Sequence, residues 1–139
     1  MQVEIKRIDK TLPLPEYKTA GAVAFDFITR ETTIIQPHSV EKIPGNVIVK
    51  TPPGYMLFLK DRGSTAKKGL ILTAGIVDQD FCGDNDEIMI QAYNYKDEPV
   101  TIERGERIAQ GIFIKIETAE WQEVEKMEAK DRGGFGTTG

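Results

Sequence analysis

Along this chain, apolar and polar residues alternate in short runs that proline and glycine cut at close intervals. Residues 3–8, VEIKRI, alternate and predict a first strand. TLPLPEY follows as a connection, because proline blocks pairing at its own position and restricts the residue before it. TTIIQPHSVEKIP, GNVIVKT and PPGYMLFLKDR are strand-length runs set apart by Pro-His, Pro-Gly and Pro-Pro-Gly. That punctuation predicts an all-β sandwich or barrel. Two apolar runs, 70–77 and 88–93, flank an acidic turn and read as the arms of a hairpin. QAYN then leads through YKDE to PVTIE, and an RGE turn leads into RIAQGIFIKIE as a further strand pair.

Two segments interrupt the pattern. Residues 61–69, DRGSTAKKG, have room for one helical turn from about Ser64. In TAEWQEVEKMEAKD, Trp121, Val124 and Met127 recur at i, i+3 and i+6, a spacing that a short helix would satisfy. No internal repeat and no domain boundary is visible.

Composition narrows the function. A chain of 139 residues fits one domain with a single core. A formal charge of −4 argues against a general binder of nucleic acid or membrane surface, since both favour a basic stripe. The start, MQVEIKRIDK, lacks the apolar core of a signal peptide, and no run approaches the ~18 apolar residues of a membrane span. Cys82 is alone, so no disulfide forms within the chain. An intracellular, cytoplasmic protein is expected, with no membrane and no stable nucleic-acid partner.

The candidate chemistry lies in three places. Asp26 interrupts the apolar run AGAVAFDFIT, where an unpaired charge is costly to bury; it marks an edge, a bulge or a function. Asp78, Asp80, Phe81, Asp84 and Asp86 crowd the turn between the two long runs. Such a turn offers a carboxylate, an aromatic face and free backbone groups, which together can hold a flat heterocycle beside a water-activating acid. A solvated acidic tip is the plainer reading. A calcium loop fails by counting, because it would place a thiol at position 5 and Met89 where a bidentate Glu is required. Third, the tail RGGFGTTG contains a formal GxGxxG at Gly134, Gly136 and Gly139, but no strand precedes it and no helix can follow. A floppy terminus is the plain reading; the alternative is a Gly-rich flap whose Arg132 and Phe135 close over a phosphate and a base. His38 sits in a polar turn and is expected to be exposed and uninvolved.

Five stretches, in order and spacing, resemble the signature motifs of the trimeric deoxyuridine triphosphatases (dUTPases). They are AFDF at 24–27, DRGSTAKKGL at 61–70, GIVDQDFCGD at 75–84, GERIAQGIF at 105–113 and RGGFGTTG at 132–139. Any one is weak alone; five collinear motifs across nearly the whole chain are specific. The resemblance implies a distorted jelly-roll (dUTPase-like β-clip) with at most one short helix and an extended C-terminal arm, which favours extended chain over a helix at Trp121, Val124 and Met127. It also implies a homotrimer with shared active sites and Mg²⁺-dependent hydrolysis of dUTP to dUMP and pyrophosphate. Residues 1–131 would form the β domain, and residues 132–139 a lid supplied to another subunit's site.

By the same resemblance, Asp78 would activate the attacking water, Asp26 would hold waters on the Mg²⁺, and Arg62 and Gln110 would meet the phosphates. Gly63 and Ser64 would also lie along the phosphates. The backbone of Ala74, Gly75, Ile76, Val77 and Met89 would read the uracil edge, with Phe81 beneath the deoxyribose. Arg132 would reach the γ-phosphate, and Phe135 would cover the base beside Gly136. This chain departs from the pattern at four points: Gly63 replaces a phosphate-contacting Ser, and Phe81 replaces a Tyr. DNDE after Gly83 is a small insertion, and a Gly is absent between Arg132 and GGF. Reduced rate or altered phosphate contacts are expected from these changes. Two other functions remain open at this level. One is a catalytically quiet dUTP-binding regulator; the other is an enzyme of the related dCTP deaminase branch, whose additional acidic base and longer C-terminus are not found here.

Overall fold

The structure, a computed structural model, describes residues 1–136. Its strands are β1 (Glu4–Arg7), β2 (Phe25–Asp26), β3 (Thr33–Ile35), β4 (Val40–Pro44), β5 (Val47–Lys50) and β6 (Tyr55–Asp61). A 3-10 turn (Thr65–Lys68) precedes β7 (Leu70–Leu72), β8 (Ile76–Val77), β9 (Met89–Asn94), β10 (Val100–Ile102) and β11 (Ala109–Lys115). All pairings are antiparallel: β2–β11–β6–β8, β4–β9–β7, β1–β5 and β3–β10. The result is the expected distorted jelly roll, with the single helical turn at the predicted place and an extended arm after β11.

Side-chain alternation builds the core. In β9, Ile90, Ala92 and Asn94 turn inward while Met89, Gln91 and Tyr93 turn outward. Phe27, Ile43, Leu57, Leu70, Ile90 and Ile102 are fully buried, each worth ~1.5–3 kcal/mol of transfer free energy. Asn94 is tolerated among them because its Nδ2 donates to the Ile35 and Glu98 carbonyls, at 3.0 and 2.9 Å.

The structure corrects two predicted pairings. PVTIE and RIAQGIFIKIE are not partners: β10 pairs with β3, while β11 lies between β2 and β6. The run 70–77 is not one hairpin arm either. β7 pairs with β9, but after Thr73 the chain bends, and β8 joins β6 in a different sheet. Gly75 permits the crossing, because a Cβ there would run into the backbone oxygen of Leu59. As the resemblance implies, Trp121, Val124 and Met127 lie in extended chain and are exposed; no helix forms, since none of the three finds an apolar surface among the described residues. His38 is exposed as expected, though its Nε2 is 2.7 Å from Asp97. Among the described residues, no helix is long and apolar enough to cross a membrane.

Candidate active site

The strand order gathers one group of predicted residues. Because β11 lies between β2 and β6, Gln110 stands opposite Asp26 on one side and Lys60 on the other. Arg62 follows β6 directly, so the same sheet end receives Asp26, Gln110 and Arg62. Arg62 Nε donates to Asp26 Oδ1 at 2.9 Å, and its Nη1 donates to the Arg107 carbonyl at 2.9 Å. The Asp26 side chain is only 11% exposed. The ion pair explains how a carboxylate survives inside an apolar run. Arg62 carries five N–H donors and keeps the remainder for a ligand. Gln110 Nε2 donates to the Asp61 carbonyl at 2.9 Å, which fixes the amide plane.

The turn carrying Arg62 is pinned from beneath. The Thr65 hydroxyl accepts the Arg62 N–H at 3.0 Å and donates to the Ile108 carbonyl at 2.7 Å. Gly63 and Ser64 are exposed above it, and Ser64 makes no capping bond with its hydroxyl. Burial pushes the neighbouring Asp61 carboxyl up. The Leu72 N–H and the Lys60 ammonium outweigh that burial, so its pKa lies below the ordinary value.

A second group forms where β8 leaves its sheet. Leu59 N–H bonds the Gly75 carbonyl, so the backbone groups of Ile76, one residue on, face away from β6. On β9, Gly45 N–H bonds the Ile88 carbonyl, which turns the N–H and C=O of Met89 toward β7. The β7 side is occupied only as far as Thr73, whose N–H bonds the Gln91 carbonyl at 3.0 Å. Past that point the ladder has no second strand. A slot remains between Ile76 and Met89, edged by backbone donors and acceptors.

Asp78 stands at the rim of this slot. It borders a cavity of about 290 Å³ with Ile76, Val77, Phe81, Met89 and Lys42, and a second of about 590 Å³ with Tyr55, Gln79 and Thr118. The four aspartates of the tip do different work. Asp84 pairs with Lys6 at 3.1 Å, and Asp86 Oδ2 accepts the Gly83 N–H at 2.7 Å, so the DNDE insertion folds its own turn. Asp78 is exposed, and its carboxylate has no partner among the described residues.

The two groups do not meet within one chain: Asp26, Arg62 and Gln110 line neither cavity that Asp78 borders. Arg132 and Phe135 are exposed and line neither cavity either. Thr137, Thr138 and Gly139 of the expected lid lie outside the described residues. Among the described residues, no cluster of three His, Cys, Asp or Glu side chains could cage a metal. Asp26, with Oδ1 on Arg62, suits a hydrated Mg²⁺ carried by a ligand's phosphates. Sequence reasoning missed Thr65 and Lys42. A buried hydroxyl beneath an exposed turn leaves no periodic signal, and Lys42 reaches its cavity from a strand distant in sequence.

Comparison with known proteins gives a consistent result. The family model described as dUTPase matches residues 10–139. The chain is 35% identical over 150 residues to the deoxyuridine 5'-triphosphate nucleotidohydrolase of Dictyoglomus turgidum, covering 100% of this chain and 99% of that protein. The dUTPase from Streptococcus mutans superposes with a TM-score of 0.76 at 31% identity, over 84% of this chain and 98% of that one. The dUTPase of Staphylococcus bacteriophage 80alpha, solved with dUPNHPP, superposes with a TM-score of 0.86 at 25% identity, over 99% of this chain and 98% of that one.

Proposed function

This chain belongs to the dUTPase family, and on that premise we propose that it hydrolyses dUTP to dUMP and pyrophosphate by Asp78-activated attack of water on the α-phosphate. The observation that carries the reading is the unfilled rung between Ile76 and Met89 with an unpartnered carboxylate at its rim.

Uracil presents acceptor, donor and acceptor along one edge, and backbone N–H and C=O groups match that order. Cytosine reverses two of the three and would leave buried groups unpaired, at about 1–3 kcal/mol each. Ala74, Gly75 and Val77 shape the slot around Ile76, and the narrow turn excludes thymine's methyl. Phe81 lies beneath the deoxyribose, where a 2′-hydroxyl has no room. Asp78 takes the proton of the attacking water, a role typically worth ~10²–10⁴-fold in rate.

The phosphates would meet Arg62, Gly63, Ser64 and Gln110. Arg62 neutralises charge developing on the phosphoryl oxygens, held in place by Asp26 and Arg107. Asp26 would hold the waters of a substrate-borne Mg²⁺, which supplies positive charge that an acidic protein lacks. Because the two residue groups are separate within one chain, a homotrimer with sites shared between subunits is the assembly that unites them. Residues 1–131 would be its body, and 132–139 its lid. In that lid Arg132 would reach the γ-phosphate and Phe135 the uracil face, with Gly136 closing behind. A cytoplasmic setting fits a substrate of the nucleotide pool.

Steady-state hydrolysis of dUTP against dTTP, dCTP and UTP, with and without Mg²⁺, tests this reading. Pyrophosphate release selective for dUTP is expected; equal rates on all four nucleotides would remove the slot from the account.

A further inference from the structure

Among the described residues lining the 290 Å³ cavity beside Asp78, Lys42 carries the one side-chain hydrogen-bond donor, and Ile76, Val77, Ile88 and Met89 form apolar walls. It lies on β4 opposite Gln91 in register. Its neighbour Ile43 is fully buried, so alternation puts Lys42 on the outer face that also carries Met89. Lys6, Lys50, Lys60 and Lys68 each pair with a carboxylate. Lys42 has no such partner among the described residues and keeps its ammonium available to the cavity.

We propose that Lys42 is a specificity-determining residue whose ammonium donates to the O4 carbonyl oxygen of the pyrimidine. This rests on the proposed dUTP substrate. The cavity takes the base end, because its walls are apolar and Arg62, Asp26 and Gln110 line no part of it. With Asp78 assigned to the α-phosphate and Phe81 to the sugar, Lys42, Ile88 and Met89 are the lining residues left for the far edge of the base, which carries O4. A carbonyl oxygen accepts two hydrogen bonds, and the strand edge offers it one N–H, so an ammonium fills the second position. Cytosine carries a 4-amino group there, and a cation facing that donor repels it. Lys42 thus adds a charged layer of selection to the backbone's reading of the edge.

The test compares the unaltered protein with Lys42→Met and Lys42→Arg, using dUTP as substrate and dCTP as competitor. Lys42→Met should raise KM for dUTP about tenfold, the scale of one charge-assisted hydrogen bond, with a much smaller change in kcat. It should also tighten inhibition by dCTP, while Lys42→Arg restores most of the discrimination. A merely structural role would instead lower Tm and shift both nucleotides together. If the unaltered chain turns over dUTP and Lys42→Met leaves KM unchanged, or weakens dUTP and dCTP equally, the Lys42 assignment is overturned and the dUTPase reading stands. If the unaltered chain does not turn over dUTP, both fail.

Discussion

Asp26 and Arg62 are joined by an ion pair, Oδ1 to Nε at 2.9 Å, that ties β2 to the turn after β6. By resemblance to the family motifs these residues have separate tasks, a metal's waters and the phosphates. The structure adds that each orients the other. Arg62→Lys should lower kcat by about 10²-fold, because the three N–H donors of an ammonium radiate from one nitrogen and lack the spread of the guanidinium fork. They cannot hold Asp26, the Arg107 carbonyl and a phosphate at once. Single-turnover kinetics would check this, and a loss below threefold would remove the bridging role.

Asp78→Asn should retain affinity for a non-hydrolysable dUTP analogue and lose at least ~10²-fold in kcat. The amide keeps the size of the side chain but cannot accept the water's proton. Calorimetric titration beside a rate assay separates the two effects. An unchanged kcat would strike Asp78 from the mechanism.

Gly63→Ser is expected to improve the enzyme. A Cβ at this position meets nothing within 4 Å, and the backbone there does not need glycine's left-handed range. The added hydroxyl restores the phosphate contact that the family's second motif usually supplies. A net gain of ~1 kcal/mol corresponds to about fivefold in kcat/KM. A fall in kcat/KM with an unchanged Tm would show that Ser64 already fills this role.

Deleting residues 132–139 should leave the folded assembly intact and slow hydrolysis severely. None of its described residues belongs to the core, and Arg132 and Phe135 are exposed. Light scattering would report the assembly and a phosphate-coupled assay the rate. Full activity after truncation would end the lid assignment.

Acid should destabilise the protein through carboxylates held low on folding, of which Asp61 and Glu106 are the partly buried ones. Burial raises the Asp61 and Glu106 pKa values, but the Leu72 N–H and Lys60 for the first, and Lys68 for the second, bring both below their ordinary values. Groups depressed on folding stabilise above their unfolded pKa, about 3.9 for Asp and 4.3 for Glu. That stability is lost as pH falls through the folded values. Melting temperatures should therefore hold steady from about pH 7 to 5 and fall below about pH 4. Asp61→Asn should flatten that fall.

Much of this was legible in the residue order. Alternation placed β1, β4, β5 and β6, and a charge inside an apolar run pointed to Asp26. The misreadings share one cause: runs adjacent in sequence were paired with each other. Periodicity records which face of a strand is buried, but not which strand lies beside it. The crossing at 73–75 and the β3–β10 and β6–β11 pairings are decisions made between distant segments. Lys42 was invisible for the same reason, since its importance depends on Met89 and Asp78, which lie far from it in the chain. Trp121, Val124 and Met127 kept a helical spacing with no surface to use it.

The crossing at Gly75 has a further consequence for recognition. A pyrimidine dione carries, on its lactam edge, the same N–H and C=O that a peptide unit carries. A ladder interrupted for one rung can therefore be completed by a nucleobase as if it were a short piece of foreign backbone. The gap is too brief to recruit an actual polypeptide, which spares the molecule the edge-to-edge aggregation that open sheets invite. On the proposed reading, chemical selectivity would be mimicry of secondary structure: what enters must impersonate an amide.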